Sequence, residues 1–219
     1  MIVYEDDFII VCEKPTGMPV QSARIGTPDM ISVLKNHRKE KEALQGEPYL
    51  GVIHRLDQPV EGMIVFAKTK AAAAALSTQI TAGKMKKYYY AVVSGTPKEP
   101  KATLVDYLLK DGKTNTSKVV PSKAKGAKRA ELNYQVLCQK ENITLLEIEL
   151  LTGRHHQIRV QLSGAGLPLL GDQKYHPGDQ SQTGDVALCA CKLVFAHPHH
   201  KKVMTFQCEP KGEVFSKFR

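Results

Sequence analysis

The chain has 219 residues, of which 42% are hydrophobic and 24% charged, ordinary values for a folded globular protein. Lys and Arg number 31 against 22 Asp and Glu, and the net charge of +9 favours a polyanionic partner, nucleic acid first and an anionic membrane surface second. No apolar run is long enough to cross a bilayer and no targeting signal is visible, so we predict a cytoplasmic protein.

The first predicted elements are two strands around an acidic turn. Residues 8–12 form a continuous apolar run, which is typical of a buried strand, and a loop rich in Pro and Gly follows at 14–20. Thr27, Pro28 and Asp29 then predict a helix start, with Thr27 as the N-cap and Pro28 in the first turn.

A polar cluster between two apolar runs lies at residues 52–68. His54, Arg55 and Asp57 follow one short apolar run, and a second begins at Met63. Two strands joined by a polar bend are predicted here, with Asp57 at a strand end or in a turn because Pro59 biases the preceding residue away from helix. A carboxylate in that place suits either catalysis or simple capping of the turn.

The next two predicted elements are a helix and an aromatic strand. Thr69 caps a helix rich in strong helix formers, and Gly83 ends it. The strand that follows carries three tyrosines, with Tyr88 and Tyr90 on one side and Tyr89 on the other.

Residues 112–130 are basic, contain no acidic residue, and are rich in turn formers. We interpret this segment as a mobile hairpin tip or loop whose lysines, Lys123 and Lys125 among them, contact phosphates without reading sequence. Paired strands on either side of residues 141–142 follow.

The second polar motif occupies residues 152–175. Thr152 is predicted to cap a helix through Leu162 that ends at Gly164 or Gly166. His155 and His156 lack a Cys or carboxylate partner at ligand spacing, so no metal site is predicted there. The His-rich segment 197–200 is interpreted as a hairpin turn, and the five cysteines as buried free thiols.

These motifs together resemble one family. The chain has His54-Arg55-Leu56-Asp57, the spacing Lys87-x-Tyr89-x-Ala91, and a run from Thr152 to Arg159 followed by Gly171-Asp172-x-x-Tyr175. This set is similar to the motifs of the RluA-type RNA pseudouridine synthases, and the resemblance covers nearly the whole chain.

The resemblance implies roles for three residues. Asp57 matches the catalytic aspartate, Tyr89 the tyrosine that stacks on the target uracil, and Arg159 the arginine that ion-pairs with that aspartate. Glu61 stands where the family usually has Ser, and we expect its side chain to point away from Asp57.

The resemblance also implies RNA contacts. Arg55 fills the space left by the extruded base or holds a phosphate, Arg154 braces its loop or touches a phosphate, and Leu188 forms an apolar floor under the base. Lys84, Lys86 and Lys87, with Lys123 and Lys125, are expected to bind the RNA backbone.

The resemblance implies an α+β architecture, with a mixed, mainly antiparallel bent sheet, flanking helices and a central cleft. We expect one catalytic domain over 1–219 that acts as a monomer without cofactor or metal. The RNA is ribosomal or transfer RNA. Two rival functions remain: a glycosidase using Asp57 and Glu61 as paired carboxylates, and an RNA-binding assembly factor on a retired synthase scaffold.

Overall fold

The computed structural model describes residues 1–22, 26–179 and 185–218. The chain forms two compact units, Met1–Met85 with Ala190–Cys208 and Lys86–Cys189 with Glu209–Arg219. Along the chain the elements are β1 Ile2–Glu5, β2 Ile9–Lys14, α1 Met30–Lys41, β3 Gly51–Val52, β4 Glu61–Ala67, α2 Lys70–Thr81, β5 Lys86–Ser94, β6 Lys101–Asp111, β7 Thr116–Val119, β8 Lys128–Lys140, β9 Ile143–Leu150, α3 Gln157–Gly164, β10 Leu188–Ala196, β11 Val203–Gln207 and α4 Glu213–Ser216.

The sheet of the first unit has the strand order β1-β2-β4-β10, with β3 also paired to β4 and β11 paired to β10. The antiparallel pairing of β3 with β4 confirms the two strands predicted on either side of the polar bend. Every residue of β4 is buried, as expected for a continuous apolar run in the interior of a sheet. The bend between β3 and β4 therefore leads directly into β4, a buried strand that holds the end of the bend in place.

The core of the first unit joins the sheet to α2. Leu76 is fully buried there and packs in one cluster with Ile9, Met63 and Phe195. Burial of each such side chain contributes roughly 1.5–3 kcal/mol. The predicted helix caps are confirmed for α2: Thr69 accepts from the backbone of Ala72 at 3.1 Å, and Gly83 follows the helix at φ +65°.

The cap predicted for α1 was wrong by two residues. Asp29, not Thr27, is the N-cap, and its carboxylate accepts the backbone N–H of Ser32 at 2.7 Å while the Ser32 hydroxyl accepts the Asp29 N–H at 3.1 Å. The reciprocal bonds form a capping box, which satisfies more of the exposed helix donors than a threonine two residues earlier.

The second unit is an antiparallel sheet with the strand order β5-β9-β8-β6-β7. Along β5, Tyr89 is buried whereas Tyr88 and Tyr90 are only partly buried, which confirms that they lie on opposite faces. Residues 112–130 form the β6–β7 hairpin and the turns that lead to β8. Of the helices described, none has the length and apolar character to cross a membrane.

The helix predicted from Thr152 begins later, at Gln157, so that prediction was wrong in its N-terminus. His156 occupies the N-cap position with a left-handed backbone, φ +53°. Thr152 is instead bound to β8, because its hydroxyl accepts the Glu131 N–H at 2.8 Å and donates to Gln157 Oε1 at 2.7 Å. The end of the helix agrees with prediction, since α3 stops at Gly164.

Candidate active site

Asp57 lies in the tight turn between β3 and β4. The backbone N–H of Val60 donates to the Asp57 carbonyl at 3.0 Å, and Asp57 is partly buried beside the exposed Arg55. The sequence interpretation of Asp57 as a turn residue is confirmed. A side chain in this place is held by a buried strand and still reaches solvent.

The turn is clamped by the loop that follows β2. Lys14 is fully buried, and its Nζ donates to the carbonyls of Pro15, Met18 and Gln58 at 2.7–2.9 Å. Gly17 adds a second link, because its N–H donates to the same Gln58 carbonyl at 3.0 Å. The backbone at Gln58, next to Asp57, is therefore held by hydrogen bonds from the loop that follows β2.

Lys14 also introduces a positive charge beside two carboxylates. Burial lowers the pKa of Lys14 to about 8, and the carboxylates of Asp57 and Glu61 act in the opposite direction. Glu61 is 8% exposed. Glu61, which stands where the motif usually has serine, therefore interacts electrostatically with Lys14, as Asp57 does.

In the second unit, Arg159 is anchored by an aspartate thirteen residues further along the chain. Its Nε donates to Asp172 Oδ2 at 2.7 Å and its Nη2 to Oδ1 at 2.6 Å, with both side chains almost fully buried. Tyr175 lies under the guanidinium, 5.2 Å from its central carbon. Asp57 and Arg159 belong to different units, and the contact expected between them stays a prediction.

A hydrogen-bond network surrounds the Arg159–Asp172 pair. The Tyr175 hydroxyl lies 2.8 Å from His156 Nδ1 and accepts the Ser117 N–H at 2.8 Å. The Ser117 hydroxyl lies 2.9 Å from His155 Nδ1. These contacts give both histidines a structural explanation.

The remaining predicted RNA-binding residues divide by exposure. Arg154 is exposed and its Nε donates to the Arg129 carbonyl at 2.8 Å, which links its loop to β8. Lys123 and Lys125 are exposed in the turns before β8. Leu188 is 4% exposed at the start of β10.

Three ligand atoms of Asp6, His197 and His200 lie within 4.8 Å of one another. Their geometry is that of a hydrogen-bonded turn: His197 Nε2 lies 2.7 Å from Asp6 Oδ2, while its Nδ1 accepts the backbone N–H groups of His199 and His200. The rings of His197 and His200 are stacked nearly parallel at 3.7 Å, so their in-plane lone pairs do not converge. This arrangement fits the predicted hairpin turn better than a metal site.

Sequence reasoning assigned no role to two residues that shape this region. Lys14 begins a Pro- and Gly-rich loop, and Asp172 is part of the Gly-Asp-x-x-Tyr motif. The sequence signal that could have identified Lys14 and Asp172 is a charged residue within a glycine-containing motif.

Comparison with known proteins identifies the class. The sequence profile of the RNA pseudouridylate synthase family matches residues 8–164. The solved structure of human RNA pseudouridylate synthase domain containing 4 superposes with a TM-score of 0.80 at 25% identity, covering 99% of this chain and 91% of that one.

Curated relatives agree. An uncharacterized RNA pseudouridine synthase of Bacillus subtilis, YlyB, is 32% identical over 94% of this chain and 67% of its own length. The ribosomal large subunit pseudouridine synthase D of Zymomonas mobilis is 33% identical over 95% of this chain and 68% of its own length. The chain therefore belongs to the RNA pseudouridylate synthase family, whose members are isomerases that act on RNA.

Proposed function

We propose that Asp57 is the catalytic carboxylate of this synthase, that Tyr89 stacks on the extruded uracil, and that Arg159 ion-pairs with Asp57. The observation that carries the proposal is the clamp on the Asp57 turn, in which Lys14 donates three hydrogen bonds, one of them to Gln58. Such external support is what a reacting group needs to be held in one geometry.

The reaction is an isomerisation and its atoms balance without a co-reactant. The bond between uracil N1 and ribose C1′ breaks, the base turns, and a bond forms between C5 and C1′. The proton on C5 is lost to solvent and N1 gains one. Asp57 acts as an ionised carboxylate that attacks either C1′ or the uracil ring, or takes part in a glycal route. Tyr89 occupies the motif position of the tyrosine that is the family's proposed proton acceptor.

The anchoring of Arg159 supports its proposed role. Asp172 engages the Nε and Nη2 side of the guanidinium. In the proposed contact, the guanidinium of Arg159 would orient the Asp57 carboxylate through a charge-assisted hydrogen bond.

The proposed substrate is structured RNA of the large ribosomal subunit, as the names of the C and D relatives indicate for those proteins; transfer RNA is the alternative. Removing a base from its stack costs a few kcal/mol, which stacking on an aromatic ring offsets. The backbone is bound by the exposed residues Arg55, Arg154, Lys123 and Lys125, and Leu188 forms the apolar floor. We further propose a monomeric cytoplasmic enzyme with one catalytic domain over 1–219.

The test is tritium release from RNA labelled at C5 of uridine, together with detection of pseudouridine. The wild-type protein should release tritium, and Asp57→Asn should lower the rate roughly 10³-fold or more, the scale of losing a principal catalytic group. Glu40→Gln is the matched control, because Glu40 is an exposed carboxylate on α1.

Each rival function has its own signature in this assay. Release of free uracil would indicate a glycosidase. Binding of ribosomal RNA without tritium release, in wild type and variants alike, would indicate an assembly factor. Tritium release that persists in Asp57→Asn would remove Asp57 from the mechanism.

A further inference from the structure

Among the described residues, no carboxylate pairs with the ammonium group of Lys87. Within residues 1–22, 26–179 and 185–218, no hydrogen bond or ion pair is formed by its Nζ, although the side chain is partly buried. Burial alone lowers the pKa of Lys87, with no neighbouring carboxylate opposing it. Lys87 Nζ is not among the fully buried polar atoms without a partner in the described residues, so the ammonium reaches solvent and an anion can approach it.

Two other lysines, one buried and one adjacent to Lys87, are paired with carboxylates. Lys68 contacts Glu5 and Glu42 at 2.9 and 2.8 Å. Lys86, adjacent to Lys87 on β5, contacts Glu149 at 3.3 Å on the opposite face of the strand. Lys87 is thus distinguished from Lys86 by its surroundings, whereas the sequence alone treated the two alike.

The position of Lys87 relative to Tyr89 is set by the strand. Residues two apart on β5 share a face and are separated by about 7 Å along the strand. Lys87 is therefore on the face that carries Tyr89, within the span of one nucleotide from it.

The loop around Gly153 forms the other side of this position. A Cβ atom placed on Gly153 would lie 3.4 Å from Lys87 Nζ, so the backbone approaches the ammonium closely. The loop is fixed to β8, since Gln157 accepts from the Thr152 hydroxyl and donates to the Glu131 carbonyl at 3.1 Å. Lys87 and the loop around Gly153 therefore form a preorganised cationic site.

We propose that Lys87 binds the phosphate of the target nucleotide, the one whose base stacks on Tyr89. This inference rests on the proposed function in that Tyr89 holds the extruded base. A lysine ammonium is a compact point charge that suits a phosphate oxygen. The phosphate would supply a counter-charge to the Lys87 ammonium and would hold the extruded nucleotide at a second point besides its base.

The test compares Lys87→Met with Lys101→Met, which removes the same charge from an exposed lysine on β6. The probe is an unmodified transcript of large-subunit ribosomal RNA, and affinity is measured across a salt series. Lys87→Met should weaken binding about tenfold at low salt. It should also reduce the slope of log affinity against log salt by about 0.7–0.9, the value for one lost phosphate contact. Lys101→Met should leave the slope unchanged.

The melting temperature separates a ligand role from a structural one. Because no hydrogen bond or ion pair within residues 1–22, 26–179 and 185–218 holds the Lys87 ammonium, Lys87→Met should not lower the Tm. A lower Tm, an unchanged salt slope, or equal losses in both variants would overturn the proposal.

Tritium release distinguishes failure of this subsite from failure of the proposed function. If wild type and Lys87→Met release tritium equally at limiting RNA, the subsite fails and the enzyme assignment stands. If the wild type releases none but shows the Lys87-dependent slope, a phosphate contact remains and its assignment to a target nucleotide is overturned.

Discussion

The guanidinium of Arg159 lies against the carboxylate of Asp172 in a bidentate pair, with donor–acceptor distances of 2.7 and 2.6 Å. Asp172 is fully buried, and its Oδ1 also accepts the backbone N–H groups of Lys174 and Tyr175 at 3.2 and 3.3 Å. The carboxylate therefore links α3 to the turn after it, and the orientation of Arg159 depends on that turn.

Removing the charge of Asp172 should be strongly destabilising. Asp172→Asn removes the carboxylate that binds the buried guanidinium at Nε and Nη2, and breaking a buried pair in this way costs about 3–5 kcal/mol. The free energy of unfolding from urea titration measures the loss.

The matched control for Asp172→Asn is Glu131→Gln. Glu131 pairs with Arg129, whose side chain is 49% exposed, so this pair is worth about 1 kcal/mol or less. Equal losses in the two variants would contradict the role assigned to the buried pair.

Gly62→Ala should prevent correct packing of β4. Gly62 has φ +120°, and a Cβ there would lie 2.4 Å from the Ala190 carbonyl oxygen and 2.6 Å from its nitrogen. Since backbone cannot move aside as a flexible side chain can, we expect a loss of about 4 kcal/mol or more. Thermal and urea denaturation measure it.

Gly83→Ala is the comparison for Gly62→Ala. Gly83 also has a positive φ, +65°, but a Cβ there meets nothing within 4 Å. Only the left-handed backbone is then penalised, at about 1 kcal/mol. Similar losses for the two glycines would mean that the contact with Ala190 is not what excludes a side chain at Gly62.

Glu5 should contribute to acid denaturation. Burial acts to raise the pKa of Glu5, but hydrogen bonds from Lys41, His37 and Lys68 outweigh it and lower the pKa from 4.5 to about 2. A carboxylate with a lowered folded-state pKa stabilises the protein above pH 4.5, and this contribution is lost as the pH falls towards 2. The loss amounts to about 3 kcal/mol.

The measurement is unfolding free energy between pH 7 and pH 2 in wild type and Glu5→Gln. The variant should lose less stability over the acid range, because it lacks the titrating group. The exposed Glu40 provides the control, and Glu40→Gln should follow the wild-type curve. A Glu5→Gln curve parallel to wild type would rule out this contribution.

Most of the helices and strands, and the family, could be predicted from the amino-acid sequence. The apolar run of β4, the Thr69 cap and the alternation of Tyr88, Tyr89 and Tyr90 were all predicted and observed. These signals are local, since strand alternation and helix capping depend on residues a few positions apart. Motif spacing sufficed for the family because it does not require knowledge of contacts.

The partner of each polar side chain, in contrast, depends on contacts between residues far apart in the sequence. Lys14 binds a carbonyl 44 positions away at Gln58, Arg159 is held by Asp172, and Thr152 is bound to β8 at Glu131 rather than capping α3. A charged or hydroxyl group has many possible partners in the sequence, and burial selects among them because each desolvated donor must find an acceptor near it in space.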